Sequence, residues 1–331
     1  MYGGCFFATR KIMCIIEKER PDIVHLHCIN GHIVNIYKLI EWLKINNIKT
    51  VLTLHAEFMY TANCGYALEC EKWKEGCGNC PRIKQETKSI FVDRTHESWE
   101  KMYKAFQGFN NIIVVSVSPW LMDRAKKSEI LKDKKHITIL NGVDTNVFKR
   151  YNMLDLKRKM GLENKKIIFH ATADFNDNVN HVKGGYYVLK LAKMLENENI
   201  QILVAGKYDK NMKIPDNVTL LGNIKKQEIL AKYYSMADVT LLTSKKETFS
   251  MVTAESLCCG TQVVGFKAGA PEQIAIKKHS SFVELGNMDE LLKEVLKCLN
   301  IKKDIKLENL AKDKYSKENM INKYIEIYKE L

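Results

Sequence analysis

The sequence predicts an α/β protein built from two Rossmann-like units. Short β-rich runs alternate with amphipathic helical stretches, as in a parallel sheet covered by helices on both faces, and this pattern occurs twice along 331 residues. That length exceeds one ordinary compact core and suits two. Apolar residues make up 46% and charged residues 27%, the balance of a globular chain and not of a disordered or fibrous one.

In the first half, strands are predicted at Asp22 to His27, Lys49 to Leu54, Ile112 to Val117 and His136 to Leu140. Helices are predicted near Ala8 to Glu19, Ile33 to Ile45, His96 to Phe106 and Trp120 to Leu131. The first strand comes only after a helix, so the N-terminal unit reads as incomplete, short of a strand or two. Between Glu57 and Arg94, glycines, cysteines and charges replace any clear period, and the segment reads as an insertion, not a core element. The join follows Asn141-Gly142-Val143-Asp144, and charged helical sequence from Tyr151 to Met160 leads into the second unit. There the strands are Lys166 to Ala171, Ile200 to Ala205, Val218 to Leu221, Val239 to Thr243 and Gln262 to Phe266. The expected domains are residues 1–150, with the 57–94 insertion and completed by a C-terminal helix at 315–331, and residues 151–314.

Charge and cysteine content narrow the function. The 52 basic and 39 acidic side chains leave a net charge of +13, carried by dispersed lysines with crowding at Lys132 to Lys135 and Lys302 to Lys306. Dispersed lysine reads first as solvated surface, and second as attraction to anionic lipid head groups or a lipid-phosphate substrate. No aromatic-interleaved basic run favours nucleic acid. No apolar stretch approaches the roughly 18 residues of a membrane span, and Met1 to Arg10 lacks the form of a signal peptide, so the expected location is the cytoplasm, with peripheral contact at the membrane face.

The most informative segment is Asp238 to Phe266, a strand, loop, helix and strand in succession. Ser250 offers an N-cap hydroxyl for a helix that stops at Gly260. Ligands bind where such loops leave the carboxyl ends of parallel strands, and helix N-termini favour phosphate. Glu247 precedes the helix and Glu255 lies in its second turn, so two carboxylates can each accept a pair of hydroxyls at different points along one ligand.

Glu247-Thr248-Phe249-Ser250-Met251-Val252-Thr253-Ala254-Glu255 resembles the E-x7-E signature of retaining GT-B enzymes of glycosyltransferase family 4. Cys259-Gly260-Thr261-Gln262-Val263-Val264, Gly269-Ala270-Pro271-Glu272 and Asn141-Gly142-Val143-Asp144 resemble that family's CGTPVV, GGxPE and NGVD stretches. Pro21 to His27 and the helix at Tyr315 to Leu331 extend the resemblance over essentially the whole chain. It implies two units facing across a cleft and transfer of a sugar from a nucleotide-diphosphate sugar to a glycan or lipid-linked acceptor. The anomeric configuration would be retained, no metal would be needed for transfer, and the setting would be bacterial surface-polysaccharide synthesis.

Carried over by residue, the resemblance implies that Glu247 contacts the transferred sugar and Glu255 holds the ribose. Thr248, Phe249, Ser250, Met251 and Val252 would lie against the sugar and diphosphate, Lys183 would pair with the diphosphate, and Gly222-Asn223-Ile224 would receive the base. The family commonly adds an arginine after the first strand of this unit or just before the lysine. This chain has Ala171-Thr172-Ala173-Asp174 and Val182 there, leaving a single cation for the diphosphate. Thr53-Leu54-His55 resembles the family's TLHD, whose histidine points toward the reacting sugar; Ala56 replaces the aspartate and Glu57 is the only nearby carboxylate. His25 and His27 read as core histidines or as further groups at the same site.

Cys64, Cys70, Cys77 and Cys80 fall within the insertion, and four thiolates suffice for one structural zinc. The other reading is free thiols packed against Trp73 and Tyr66. The competing functions are a nucleotide-sugar epimerase or phosphorylase of the same architecture, a basic zinc module for nucleic acid, and an N-terminally short homologue that binds donor but transfers weakly or not at all. The E-x7-E spacing favours transfer over each of the first three.

Overall fold

The computed structural model describes residues 4–30, 33–301 and 303–331; of the residues singled out by sequence, Met1 to Gly3 and Lys302 lie outside that set. The chain divides into two compact units, Met1–Leu140 with Lys323–Leu331, and Asn141–Asn322.

The first unit runs α1 (Phe6–Glu19), β1 (Val24–His27), α2 (Ile36–Ile45), β2 (Thr50–Leu54), α3 (Phe58–Thr61), α4 (Ile83–Thr87), α5 (Thr95–Phe106), β3 (Ile112–Ser116), α6 (Pro119–Ala125) and β4 (Lys135–Thr138). Its four strands are parallel, in the order β1-β2-β3-β4. Every residue of β2 and β3 is buried, which accounts for their unbroken apolar character, since both faces of a parallel sheet are covered. Asn35 caps α2 and Ser118 caps α6, each accepting an amide of the first turn. The helix expected from Trp120 to Leu131 stops at Ala125, and Ser128 Oγ beyond it donates to the Tyr60 carbonyl at 2.7 Å.

The segment from Glu57 to Arg94, read from its composition as an insertion and not a core element, places several side chains in the core. Glu57, Tyr60 and Ala67 are fully buried and Trp73 nearly so. Glu57 Oε1 accepts from Arg124 Nε at 2.5 Å and from Tyr60 OH at 2.7 Å, and Oε2 accepts the Ala67 amide at 2.7 Å. The Arg124 guanidinium lies over Trp73 and Trp120, 4.8 and 5.1 Å from the ring centres. A buried carboxylate that takes three donors thus organises a stretch with little regular structure.

The second unit runs α7 (Leu154–Lys159), β5 (Lys166–Phe175), α8 (Gly185–Met194), β6 (Ile200–Tyr208), β7 (Val218–Gly222), α9 (Gln227–Met236), β8 (Val239–Leu242), α10 (Met251–Cys258), β9 (Gln262–Phe266), α11 (Pro271–Ile274), β10 (Ser280–Val283), α12 (Met288–Leu299), α13 (Ile305–Tyr315) and the start of α14 (Lys317–Glu330). Its six parallel strands are ordered β10-β9-β8-β5-β6-β7. Counting from β5 gives the doubly wound order 3-2-1-4-5-6, with the reversal between β5 and β8. Ile168, Ile202, Val239, Val264 and Phe266 of the sheet pack with Val188 and Leu191 of α8 and Leu291 and Val295 of α12. Gly142 of the NGVD stretch lies where a Cβ would come within 2.6 Å of Lys317 Cα. The stretch is held there by Val143 N to Tyr315 O at 2.7 Å, Lys317 N to Val143 O at 3.0 Å and an ion pair from Lys317 to Asp144 at 2.6 Å.

Candidate functional site

The reversal between β5 and β8 opens the sheet at the carboxyl ends of its central strands, the place where such sheets bind ligands. A cavity of about 330 Å³ occupies it. Ala171, Thr172 and Ala173 come from β5, Ala205 and Gly206 from β6, and Leu242 and Ser244 from the end of β8. Lys183, Glu247, Ser250, Met251, Val252, Glu255, Asn223 and Ile224 line the same cavity, so residues spread over more than seventy positions of sequence meet at one point.

Local geometry sets the cationic side. Lys183 Nζ donates to Glu247 Oε1 at 2.7 Å. Two loops are fastened together to produce that contact: Lys245 N donates to Val182 O at 2.8 Å, and Thr243 Oγ1 to Lys183 O at 3.4 Å. Gly184, with φ 68°, lets the chain turn into α8 while passing so close to β8 that a Cβ would lie 2.0 Å from Thr243 O. The Glu247 backbone is pinned from the other side, its amide donating to Ala268 O at 2.9 Å and its carbonyl accepting from Ala270 N at 3.2 Å. Glu272 of the GxPE stretch closes that turn by accepting the amides of Ala268 and Gly269 at 3.0 and 2.9 Å.

Ser250 enters α10 with φ 81° and ψ 86°, a backbone region that non-glycine residues occupy only under constraint. Its Oγ accepts the Thr253 amide at 3.2 Å, satisfying one amide of the first turn, while the amides of Met251 and Val252 precede the first intrahelical bond beside the cavity. One helix turn on, Glu255 Oε2 accepts from Tyr234 OH at 3.2 Å, and burial pushes the Glu255 carboxyl up to about 7. Burial thus favours the neutral carboxyl, and the Tyr234 hydroxyl opposes that in part by donating to it.

Tyr234 and His170 escaped the sequence analysis. Tyr234 lies on α9 at a position whose apolar spacing marks only core. His170 is buried in β5, where Nδ1 donates to Leu241 O at 2.9 Å and extends the pairing of β5 with β8 beyond its two backbone pairs. Burial lowers the His170 imidazole to about 4, so it is neutral. Neither role carries a signal in sequence, because both depend on the strand order.

The remaining candidates are distributed as follows. Thr248 and Phe249 are buried beside the cavity without lining it, and Gly222 ends β7, delivering Asn223 and Ile224 to the wall. His55 belongs to the first unit, directly after β2, where its Nε2 lies 3.0 Å from His27 Nδ1. His25 Nε2 meets Thr53 Oγ1 at 2.8 Å, Thr53 Oγ1 meets Tyr324 OH at 3.0 Å, and His25 Nδ1 meets Tyr328 OH at 2.5 Å. Glu57 is not the carboxylate beside His55 that its sequence position offered, because it is turned into the core toward Arg124.

Cys64, Cys70, Cys77 and Cys80 make other contacts in this structure. Among the described residues no group of three or more His, Cys, Asp or Glu gathers in a way that could hold a metal ion. Cys77 Sγ is directed to Thr61 O at 3.7 Å, the Cys70 carbonyl accepts from Trp73 Nε1 at 2.7 Å, and the Cys80 amide is held by Asp93 at 2.6 Å. Burial pushes the Cys77 thiol up to about 11 and raises Cys64 further.

Residues 155–317 match the family model of glycosyl transferases group 1. That stretch is a glycosyltransferase domain. It contains Lys183, Glu247 and Glu255 together with the cavity they line. Over 96% of the chain and 77% of the relative, the sequence is 25% identical to N-acetyl-alpha-D-glucosaminyl L-malate synthase of Bacillus anthracis. It is 20% identical, over 96% of the chain and 78% of the relative, to the putative colanic acid biosynthesis glycosyl transferase WcaC of Escherichia coli K12. Among solved structures, Anabaena HepE in complex with UDP aligns with a TM-score of 0.69 at 15% identity, covering 98% of this chain and 82% of that one. The α/β class with two parallel sheets is that of GT-B glycosyltransferases. No helix among the described residues is long and apolar enough to cross a membrane.

Proposed function

We propose that this glycosyltransferase takes its sugar from a nucleotide-diphosphate sugar, retains the anomeric configuration, and delivers the sugar to a glycan or lipid-linked acceptor in surface-polysaccharide synthesis. One observation carries the reading: the Lys183–Glu247 pair, the Glu255 carboxyl and the first turn of α10 surround one cavity at the strand-order reversal. A cation and helix amides suit a diphosphate, and two separated carboxylates suit hydroxyls on either side of it. UDP is the first nucleotide to test, supported by the HepE complex, and WcaC supports the polysaccharide setting.

As the bond from the anomeric carbon to the diphosphate oxygen breaks, negative charge grows on the departing phosphate. Lys183 and the Met251 and Val252 amides meet that charge with groups already in place, so little reorganisation accompanies the step. Glu247 accepts hydroxyls of the transferred sugar and Glu255 accepts ribose hydroxyls. Asn223 and Ile224 lie against the base, and the buried Thr248 and Phe249 support the wall from behind. His55 keeps its proposed catalytic role on the strength of the resemblance and its place at the carboxyl end of β2.

A melting-temperature screen of the full chain against nucleotide sugars tests the donor claim, since a ligand that binds only the native state raises the midpoint. One nucleotide sugar is expected to do so, and no shift with any of them would refute it. With that donor and an acceptor glycan, NMR of the product's anomeric proton tests retention, and an inverted product would refute that part alone.

A further inference from the structure

Outside the cavity, the least expected surface of the molecule is the turn after α4. Ile90, Phe91 and Val92 follow one another there and are 66%, 94% and 55% exposed. Apolar side chains on a protein surface are ordinarily scattered singly; three in a row with an aromatic at the tip make an unpartnered apolar point. The turn is closed locally: Ser89 Oγ donates to Val92 O at 2.6 Å, and Asp93 just beyond accepts from the Cys80 amide, the Thr95 amide and the Thr95 hydroxyl at 2.6, 2.8 and 2.6 Å. The base is thus fastened to the first unit while the tip projects.

The stretch around the tip is positive on balance, with Arg82, Lys84, Lys88 and Arg94 against Glu86 and Asp93. Lys84, Lys88 and Arg94 are exposed. The two carboxylates of the same stretch are engaged, Glu86 with Arg82 at 2.5 Å and Asp93 as described. An apolar aromatic point flanked in sequence by exposed cations complements an anionic bilayer surface, where the tip enters the head-group region and the cations stay with the lipid phosphates. The chain's net charge of +13 acts in the same direction at longer range.

We propose that Ile90, Phe91 and Val92, flanked in sequence by the exposed Lys84, Lys88 and Arg94, form a contact point that docks the first unit on a bilayer carrying anionic head groups. The inference is independent of the donor reading, which concerns a cavity in the second unit.

The test is sedimentation of the full chain with phosphatidylcholine vesicles, with and without phosphatidylglycerol. Wild type is expected to pellet with the anionic vesicles, F91S to bind on the order of tenfold more weakly, and K84E/K88E to lose binding as well. F91W, which keeps an aromatic at the tip, should shift its emission to the blue with anionic vesicles. Equal partition of F91S and wild type, no emission shift in F91W, or equal binding to neutral vesicles would each overturn the proposal. So would a concentration-dependent dimer that F91S dissolves, because a second copy would then be the occupant. An unchanged melting temperature of F91S and an unchanged shift with UDP-glucose separate this result from misfolding and from failure of the donor reading.

Discussion

Lys183 and Glu247, sixty-four positions apart in sequence, meet as an ion pair with Nζ 2.7 Å from Oε1. The proposed diphosphate cation and the proposed sugar carboxylate thus neutralise one another at the wall of the cavity. A donor entering it would exchange this contact for two, one to each partner.

The exchange separates the two variants. K183A should weaken binding of both UDP and UDP-glucose on the order of tenfold to a hundredfold, the range of a charge-assisted hydrogen bond. E247Q should leave UDP affinity nearly unchanged and weaken UDP-glucose selectively. Calorimetric titration of both ligands reads the split, and an equal loss of both in E247Q would contradict the division of roles.

Glu255 makes a pH prediction. Its folded-state carboxyl sits at about 7 against an ordinary 4.5, so the unfolded chain releases the proton first as pH rises. Its contribution to stability is present below about 4.5, declines as pH rises toward about 7, and is lost above. E255Q removes this dependence. Urea denaturation should show E255Q gaining on wild type by about 2–3 kcal/mol between pH 5 and pH 8. Parallel profiles would mean that the carboxyl is not held neutral by burial.

Glu57 and Arg124 test what holds the 57–94 segment. Removing the carboxylate leaves a largely buried guanidinium without its main partner, so E57A should lose about 3–5 kcal/mol in chemical denaturation, and amide exchange should accelerate first across that segment. Unchanged stability would show that the apolar contacts of Trp73 and Tyr60 suffice alone.

The His27–His55 contact predicts a titration. Burial lowers both imidazoles from 6.5, and the charge of His27 lowers His55 further. In histidine-detected NMR, both should titrate below the ordinary value, and H27N should move His55 upward toward it. The pair is neutral at pH 7, and its contribution to stability falls as pH drops below about 6.5, where the unfolded chain takes up protons first. A His55 titration unmoved in H27N would contradict the coupling.

Much of this architecture is legible in sequence because parallel strands buried on both faces read as apolar runs, as β2, β3, β8 and β9 do. β10 escapes because Ser280, Ser281 and Phe282 are only partly buried and carry no run. The 57–94 segment misleads for a different reason: its order comes from Glu57 reaching Arg124 sixty-seven positions away, which no local period can show. The resemblance marks Lys183, Glu247 and Glu255, yet Tyr234, which donates to Glu255 from α9, stays hidden among core positions.

The central claim is that the cavity between β5 and β8 receives a nucleotide diphosphate. A crystal structure of the chain with UDP tests it most directly. The account predicts the diphosphate against Lys183 and the first turn of α10, with ribose hydroxyls bonded to Glu255. UDP bound elsewhere, or bound with Glu255 still facing only Tyr234, would contradict it.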